Sequence, residues 1–274
     1  MKKFMLSKLK TKKYYIPAII LVVIIFSVVA YFFYERENHS KIAIVPITGF
    51  IYSSPQYNTD GSIDKSNAYS LDIVSQIRKA NEDKKVKAIV FVIDSGGGEA
   101  FTAEEITRAI KEVNKPTVSL IRSRGMSSAY WISSATGRIF ALPLSGTVDI
   151  GITNSFTDNS KQNTDSGITF HQLSYGKYKD MYNADKDMTP DEEKLAISQT
   201  TEQANVFIKE VSENRHISIE KVQAIADGSM IIGQDALKQG LVDELGSFAE
   251  VDRYLSKMLK TKIEIRIPSE EIEK

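Results

Sequence analysis

The sequence predicts an α/β fold, a mostly parallel sheet with flanking helices, preceded by one membrane-spanning helix. Three observations predict it. Short β-branched apolar runs alternate with amphipathic helical stretches from residue 42 onward. One run, Ala88–Ile93, is apolar throughout, as in a strand buried on both faces. An uncharged stretch from Tyr14 to Tyr34 precedes all of this.

That stretch is 21 residues long. As a helix rising 1.5 Å per residue it measures ~31 Å, enough for a hydrocarbon core of ~30 Å. Tyr14, Tyr15, Tyr31 and Tyr34 stand at its ends, where amphipathic rings favour the interface. Six lysines precede it with no acid, which predicts a cytoplasmic N-terminus and a single-pass protein of the cell membrane. The rest of the chain then lies outside the cytoplasm. The competing reading is a cleaved signal peptide ending near Ala30, although the apolar run continues past it.

Residues 35–41 read as a polar linker. Ile42–Ile47 reads as the first strand and Ser53–Asn67 as a loop. Leu71, Val74 and Ile77 recur at helical spacing, which predicts a helix ending near Asn81. The strand Ala88–Ile93 is expected to stop at Asp94-Ser95-Gly96-Gly97-Gly98. Thr102 and Glu105 have the spacing of a capping box for the next helix. Thr117–Ile121, Arg138–Leu142 and Ile168–Leu173 read as strands, and Ser127–Ala135 as a helix. Thr189-Pro190-Asp191-Glu192 combines a cap, a proline at the first helical position and a box acid. A long helix should run from there to about Asn214, and Ser218 should cap a short one. Residues 42–250 are expected to form one domain, with 251–274 as a C-terminal extension.

Composition excludes several classes of function. The chain has 274 residues, no cysteine and three histidines, which excludes a disulfide scaffold, a thiol nucleophile and thiolate metal sites. No His-Glu-x-x-His occurs, and neither a metal nor a cofactor is expected. Charge is balanced at 35 basic and 35 acidic side chains, but the six N-terminal lysines leave 29 against 35, a balance of −6, in the remainder. An acidic domain argues against a nucleic-acid partner.

Three stretches carry candidate chemistry. The glycines after Asp94 leave backbone amides open beside a helix start, suited to an anion or a developing oxyanion, or serve simply as a turn. No Gly-Lys-Ser/Thr follows, so this is not a phosphate loop. Ser127 and Ser128 follow a strand and a glycine and open an apolar helix. Such a turn exposes a hydroxyl, or the serine merely caps the helix. A serine nucleophile needs a base. Lys177 and Lys179 are candidates if burial brings one of them towards neutrality, and surface charges otherwise.

Taken together these residues resemble the signal peptide peptidase A family of membrane-anchored serine peptidases. The resemblance spans about residues 42–250. It rests on Asp94-Ser95-Gly96-Gly97-Gly98, on Gly125–Trp131, and on Gly176-Lys177-Tyr178-Lys179-Asp180 with Met188–Glu192. The most specific part is Ala226-Asp227-Gly228, Gly233, Ala236 and Gly240–Gly246. It implies a Clp-protease/crotonase-like fold and a Ser–Lys dyad of Ser127 as nucleophile and Lys179 as general base. The amides of Gly98 and Ser128 would form the oxyanion hole, each donor worth about 3–4 kcal/mol. It also implies peptide substrates near the membrane lipid, such as remnant signal peptides, and a ring-like homo-oligomer whose sites neighbouring protomers complete. Lys177 is the nearest rival base.

The departures cluster at this site. Gly96 replaces a proline of the oxyanion turn, and Ser128-Ala129 a glycine pair. Asp149, in Thr147–Gly151, stands where the family has a serine thought to hydrogen-bond the lysine. A carboxylate there would raise a neighbouring lysine's pKa and oppose its work as a neutral base. A pseudo-enzyme that binds peptides without cutting is therefore the second hypothesis. A Ser–Asp–His triad is the third, with Gly125–Ala129 approaching Gly-x-Ser-x-Gly and with Asp149 and His171 or His216 following.

Overall fold

A computed structural model describes residues 21–27 and 41–265. The predicted membrane span lies largely outside the described residues. Within it, residues 21–27 are helical with exposed side chains. Among the described residues no helix is long and apolar enough to cross a membrane.

The strands are β1 (Lys41–Tyr52), β2 (Ala68–Tyr69), β3 (Val86–Gly98), β4 (Thr117–Gly125), β5 (Arg138–Ala141), β6 (Gly146–Val148), β7 (Ile231–Ile232) and β8 (Glu244–Leu245). The helices are α1 (Ser70–Glu82), α2 (Ala100–Lys111), α3 (Ser128–Ser134), α4 (Ser160–Asp165), α5 (Pro190–Arg215), α6 (Ile219–Ile225), α7 (Gly233–Lys238) and α8 (Phe248–Leu259). The sheet runs β2-β1-β3-β4-β5-β8, all parallel. β6 branches from β4 in parallel and carries the antiparallel β7. The predicted α/β class with a mostly parallel sheet and flanking helices is the observed one.

β3 shows why the central run is apolar on both faces. Ile89, Phe91 and Ile93 point into the larger core with α1, α2, α3 and α5. Ala88 and Val90 point the other way, onto Val118, Leu120 and Phe140 and the α8 side chains Val251 and Leu255. α8 thus straddles the boundary expected at residue 250, and residues 251–263 help to build the second core.

Three local expectations are corrected. β3 does not stop at Asp94 but continues to Gly98, paired with β1 through Phe50↔Gly97 and Ile51↔Gly98. Only Glu99 then separates strand from helix, so α2 starts before the expected box. Thr102 lies in its first turn and its hydroxyl donates to Glu99 O at 2.6 Å. Ile168–Leu173 reads as a strand but has no strand partner, and Leu173 is fully exposed. The Thr189 box does form. Its hydroxyl accepts from Glu192 N, the Glu192 carboxylate accepts from Thr189 N at 2.9 Å, and α5 runs to Arg215.

Candidate active site

The carboxyl ends of β3, β4 and β6 converge on one groove of about 690 Å³. Open parallel sheets place their sites at this end, where strands give way to loops. Phe50, Gly98, Glu99, Phe101, Ser127, Trp131 and Asp149 are among its lining.

Ser127 sits in the single-turn change from β4 to α3 with φ 52° and ψ −126°. A non-glycine residue there carries backbone strain that its surroundings must hold in place. Three hydrogen bonds do so. Ser127 N–H donates to Asp149 O at 2.9 Å, and Ser127 O accepts from Tyr130 N at 2.9 Å and Trp131 N at 3.0 Å. The strand-turn-helix geometry lifts the Ser127 side chain to the groove, as in a nucleophile elbow. Among the described residues its hydroxyl has no hydrogen-bond partner.

Ser128 differs. It is 3 % exposed, and its hydroxyl donates to Gly98 O at 2.9 Å, with Glu99 O at 3.4 Å. Of the two adjacent hydroxyls, only that of Ser127 is uncommitted. The Ser128 amide is the first of α3, where no carbonyl of the same helix precedes it to accept.

The glycine turn packs directly on this serine. Gly97 has φ +111°, and a Cβ there would stand 2.8 Å from Ser127 Cβ. A Cβ at Gly98 would stand 2.2 Å from Ile51 O. Glycine at both positions is what lets β3 pass between β1 and the serine turn.

Asp149 follows β6 and lines the same groove. Its carboxylate has no hydrogen bond or ion pair among the described residues. Burial first, and the charge of Asp227 second, push its pKa above the ordinary carboxylate value. Asp227 itself is held low by the Ser229 hydroxyl and amide.

Lys179 is not among the residues lining the groove. It is exposed, in irregular chain after Gly176, with its amide donating to Gly176 O at 3.1 Å. The same segment holds Leu173 and Tyr175, 98 % and 102 % exposed. Lys177, the rival base, is tied to Asp191 at 2.6 Å, which raises its pKa and keeps it charged. His171 and His216 are exposed and absent from the groove lining, so the third constellation is not brought together. Sequence reasoning missed Trp131 and Phe101 as groove walls. Trp131 stacks on Phe207 of α5 at 5.0 Å between ring centroids. Among the described residues no group of His, Asp and Glu is arranged to hold a metal ion.

Comparison with known proteins gives the family. The family model for peptidase family S49 matches residues 109–262, which include Ser127, Asp149 and Lys179. A Methanocaldococcus jannaschii protein, named only provisionally as a protease, is 31 % identical over 252 residues, covering 86 % of this chain and 79 % of its own. Protease 4 of Haemophilus influenzae is 30 % identical over 223 residues, 79 % of this chain and 35 % of that protein. The chloroplastic serine protease SPPA of Arabidopsis thaliana is 27 % identical over 180 residues, 65 % of this chain and 27 % of its own. The chain therefore spans about a third or less of these last two relatives.

Proposed function

The chain belongs to peptidase family S49, and on that premise we propose that it is a membrane-anchored serine endopeptidase working with a Ser–Lys dyad. The observation that carries this reading is Ser127, held at φ 52° in the groove with a free hydroxyl beside the Gly97–Gly98 strand. In the proposed reaction Ser127 Oγ attacks the scissile carbonyl while Lys179 takes its proton. The amides of Gly98 and Ser128 receive the oxyanion. The lysine returns the proton to the leaving amine, and water then hydrolyses the acyl-enzyme.

The base comes from a second copy in this proposal. Lys179 lies outside its own groove, on a segment whose Leu173 and Tyr175 are fully exposed. Exposed apolar side chains of this size are suited to burial against a partner. A homo-oligomer in which this segment docks at a neighbour's groove would hide them and deliver Lys179 to Ser127. The substrates are membrane-proximal peptides such as remnant signal peptides, and the apolar walls Phe50, Phe101, Trp131 and Ile152 suit apolar side chains. The membrane anchor at 14–34, the cytoplasmic N-terminus and the extracytoplasmic position of the domain belong to the same proposal.

The test is hydrolysis of a fluorogenic hydrophobic peptide by the full-length chain, beside Ser127→Ala and Lys179→Ala. Loss in both variants with folding and assembly intact supports the dyad. Full activity in either removes that residue from it.

Asp149 favours a second reading, a pseudo-enzyme that binds peptides and does not cut them. A carboxylate facing the incoming lysine would keep it protonated. An inactive parent that gains cleavage on Asp149→Ser would support this explanation, and one that gains none would sink it.

A further inference from the structure

The three glycines that end β3 have no side chains with which to fix their own peptide planes, yet Gly98 is the residue whose amide must meet the oxyanion. Two hydroxyls fix them from outside. At the near end Ser95 Oγ donates to Gly49 O at 2.6 Å and accepts from Gly97 N at 3.1 Å. At the far end Ser128 Oγ donates to Gly98 O at 2.9 Å. That carbonyl belongs to the Gly98–Glu99 peptide, whose N–H donates to Ile51 O at 3.0 Å. The plane on the carboxyl side of Gly98 is thus held at both edges, one by β1 and one by the residue next to the nucleophile. This anchors Gly98 immediately after the peptide that carries its amide, and the carbonyl of that preceding peptide lies 3.4 Å from Ser95 Oγ.

We propose that the Ser128 hydroxyl is a positioning group for the oxyanion hole, tying the Gly98 strand to the Ser127 turn so that the Gly98 amide keeps a set distance from the nucleophile. The proposal rests on the peptidase reading above. Three consecutive glycines leave the end of β3 flexible, and the hydrogen bond made from Ser128 counters that flexibility. The Ser128 side chain is buried and faces the Gly98 and Glu99 carbonyls rather than the groove, so its hydroxyl, unlike its amide, acts on the site only through them.

Gly96 offers a way to test the connection. It has no register partner in either flanking strand, its φ is not positive, and a Cβ there would meet nothing nearer than 3.9 Å. A side chain at 96 thus meets only the ends of Arg124 and Met126, and Gly96→Pro is the substitution that would restrict the backbone there.

The experiment compares the full-length parent with Ser128→Ala and with Gly96→Pro/Ser128→Ala. It reads kcat and KM on a hydrophobic peptide, affinity for a peptide boronate that mimics the tetrahedral intermediate, and thermal melting. Ser128→Ala is expected to lower kcat about tenfold, a part of the 10²–10³ that a whole donor is worth, with KM little changed. Boronate affinity should fall by the same factor, and the added proline should recover most of both. Unchanged kcat, a loss that boronate affinity does not follow, or no recovery with proline would overturn the proposal. If the parent cleaves nothing, it is the peptidase reading that fails. Positioning is then read from hydrogen exchange of amides 96–99, which Ser128→Ala should accelerate. Equal exchange in parent and variant would overturn it on that side too.

Discussion

The backbone N–H of Ser127 donates to the carbonyl oxygen of Asp149 at 2.9 Å. One peptide contact therefore fixes two features of the groove. It helps to hold the strained φ of the serine, and it ties the main chain of Asp149 to the serine turn, so that both residues line the same groove. The connection between β4–α3 and the end of β6 is made by main chain, so a change of side chain at 149 leaves it in place. Asp149 can be substituted to probe charge alone.

The first prediction follows from that charge. Burial, helped by Asp227, raises the folded-state pKa of Asp149 above its unfolded value. The native state then holds this proton more tightly than the unfolded chain does. Stability must fall as pH rises from the unfolded carboxylate value, about 4, through the raised folded value. Asp149→Asn should remove that fall. It should melt above the parent at about pH 7 and show no advantage at about pH 3, where both sites are neutral. Melting curves of the full-length chain across this range check it, and a variant no more stable than its parent at neutral pH would contradict it.

A second prediction concerns Gly97. Alanine there must adopt φ +111° and bring a Cβ to 2.8 Å from Ser127 Cβ. The backbone strain alone costs about 1–3 kcal/mol, and relief of the clash would displace the serine. Gly61 is the control, with φ +81° and nothing within 4 Å of its Cβ. Gly61→Ala should lose about 1 kcal/mol of stability and no activity. Gly97→Ala should lose more stability and at least about 10²-fold in kcat, the scale of a lost oxyanion donor. Equal behaviour of the two variants in melting and turnover would remove the special role of the Gly97 contact.

Much of the fold was legible because the signals were local. The Thr189-Pro190-Asp191-Glu192 cap acts within one turn, and α5 begins where it says. The two-sided burial of β3 is written in six consecutive apolar residues. The site was legible as far as Ser127, because a strand, a glycine and an apolar helix make an elbow whatever surrounds them. The remainder depended on distant partners. β6, β7 and β8 have three, two and two residues. Such lengths are too short to display a two-residue period, and each exists only because a longer strand or another short one offers a ladder. Asp94–Gly98 looked like a turn since its sequence is polar and flexible, but β1 and β4 extend beside it and draw it into the sheet. Ile168–Leu173 failed the other way, reading as a strand and finding no partner strand. The hydroxyl of Ser128 could be read from the sequence as a cap or as a rival nucleophile. Its bond to Gly98 required knowing that residues 30 apart meet.

The wall of the groove yields a third prediction. Trp131 is buried against Phe207, with centroids 5.0 Å apart and planes inclined by 10°. Phe207 is 1 % exposed and, with Ile208 and Val211, attaches the otherwise largely exposed α5 to the core. Phe207→Ala should cost about 3–5 kcal/mol, the usual loss for emptying a buried phenylalanine site. Because the cavity opens behind a groove residue, KM for a hydrophobic peptide should rise as well. Phe207→Leu should keep most of both. Melting and KM measured on all three proteins decide it. A large stability loss with unchanged KM would mean that the Trp131 wall keeps its place without the stack.

The last prediction separates a site made within one chain from one made between two. Ser127→Ala and Lys179→Ala are each expected to be inactive, since each lacks one member of the proposed dyad. If Lys179 reaches the Ser127 of its own chain, mixing the two variants leaves every site defective and activity stays at zero. If the lysine reaches a neighbour's serine, a Lys179→Ala copy placed before a Ser127→Ala copy rebuilds one intact pair. Random assortment of equal amounts restores about a quarter of the sites. The two proteins should be unfolded together and refolded, or co-expressed, so that subunits exchange. Recovery near that fraction, with assembly confirmed by size, is the expected result. It agrees with Lys179 standing outside its own groove beside the uncovered Leu173 and Tyr175. Persistent inactivity of a properly mixed oligomer would require the segment around Gly176 to fold back onto its own chain.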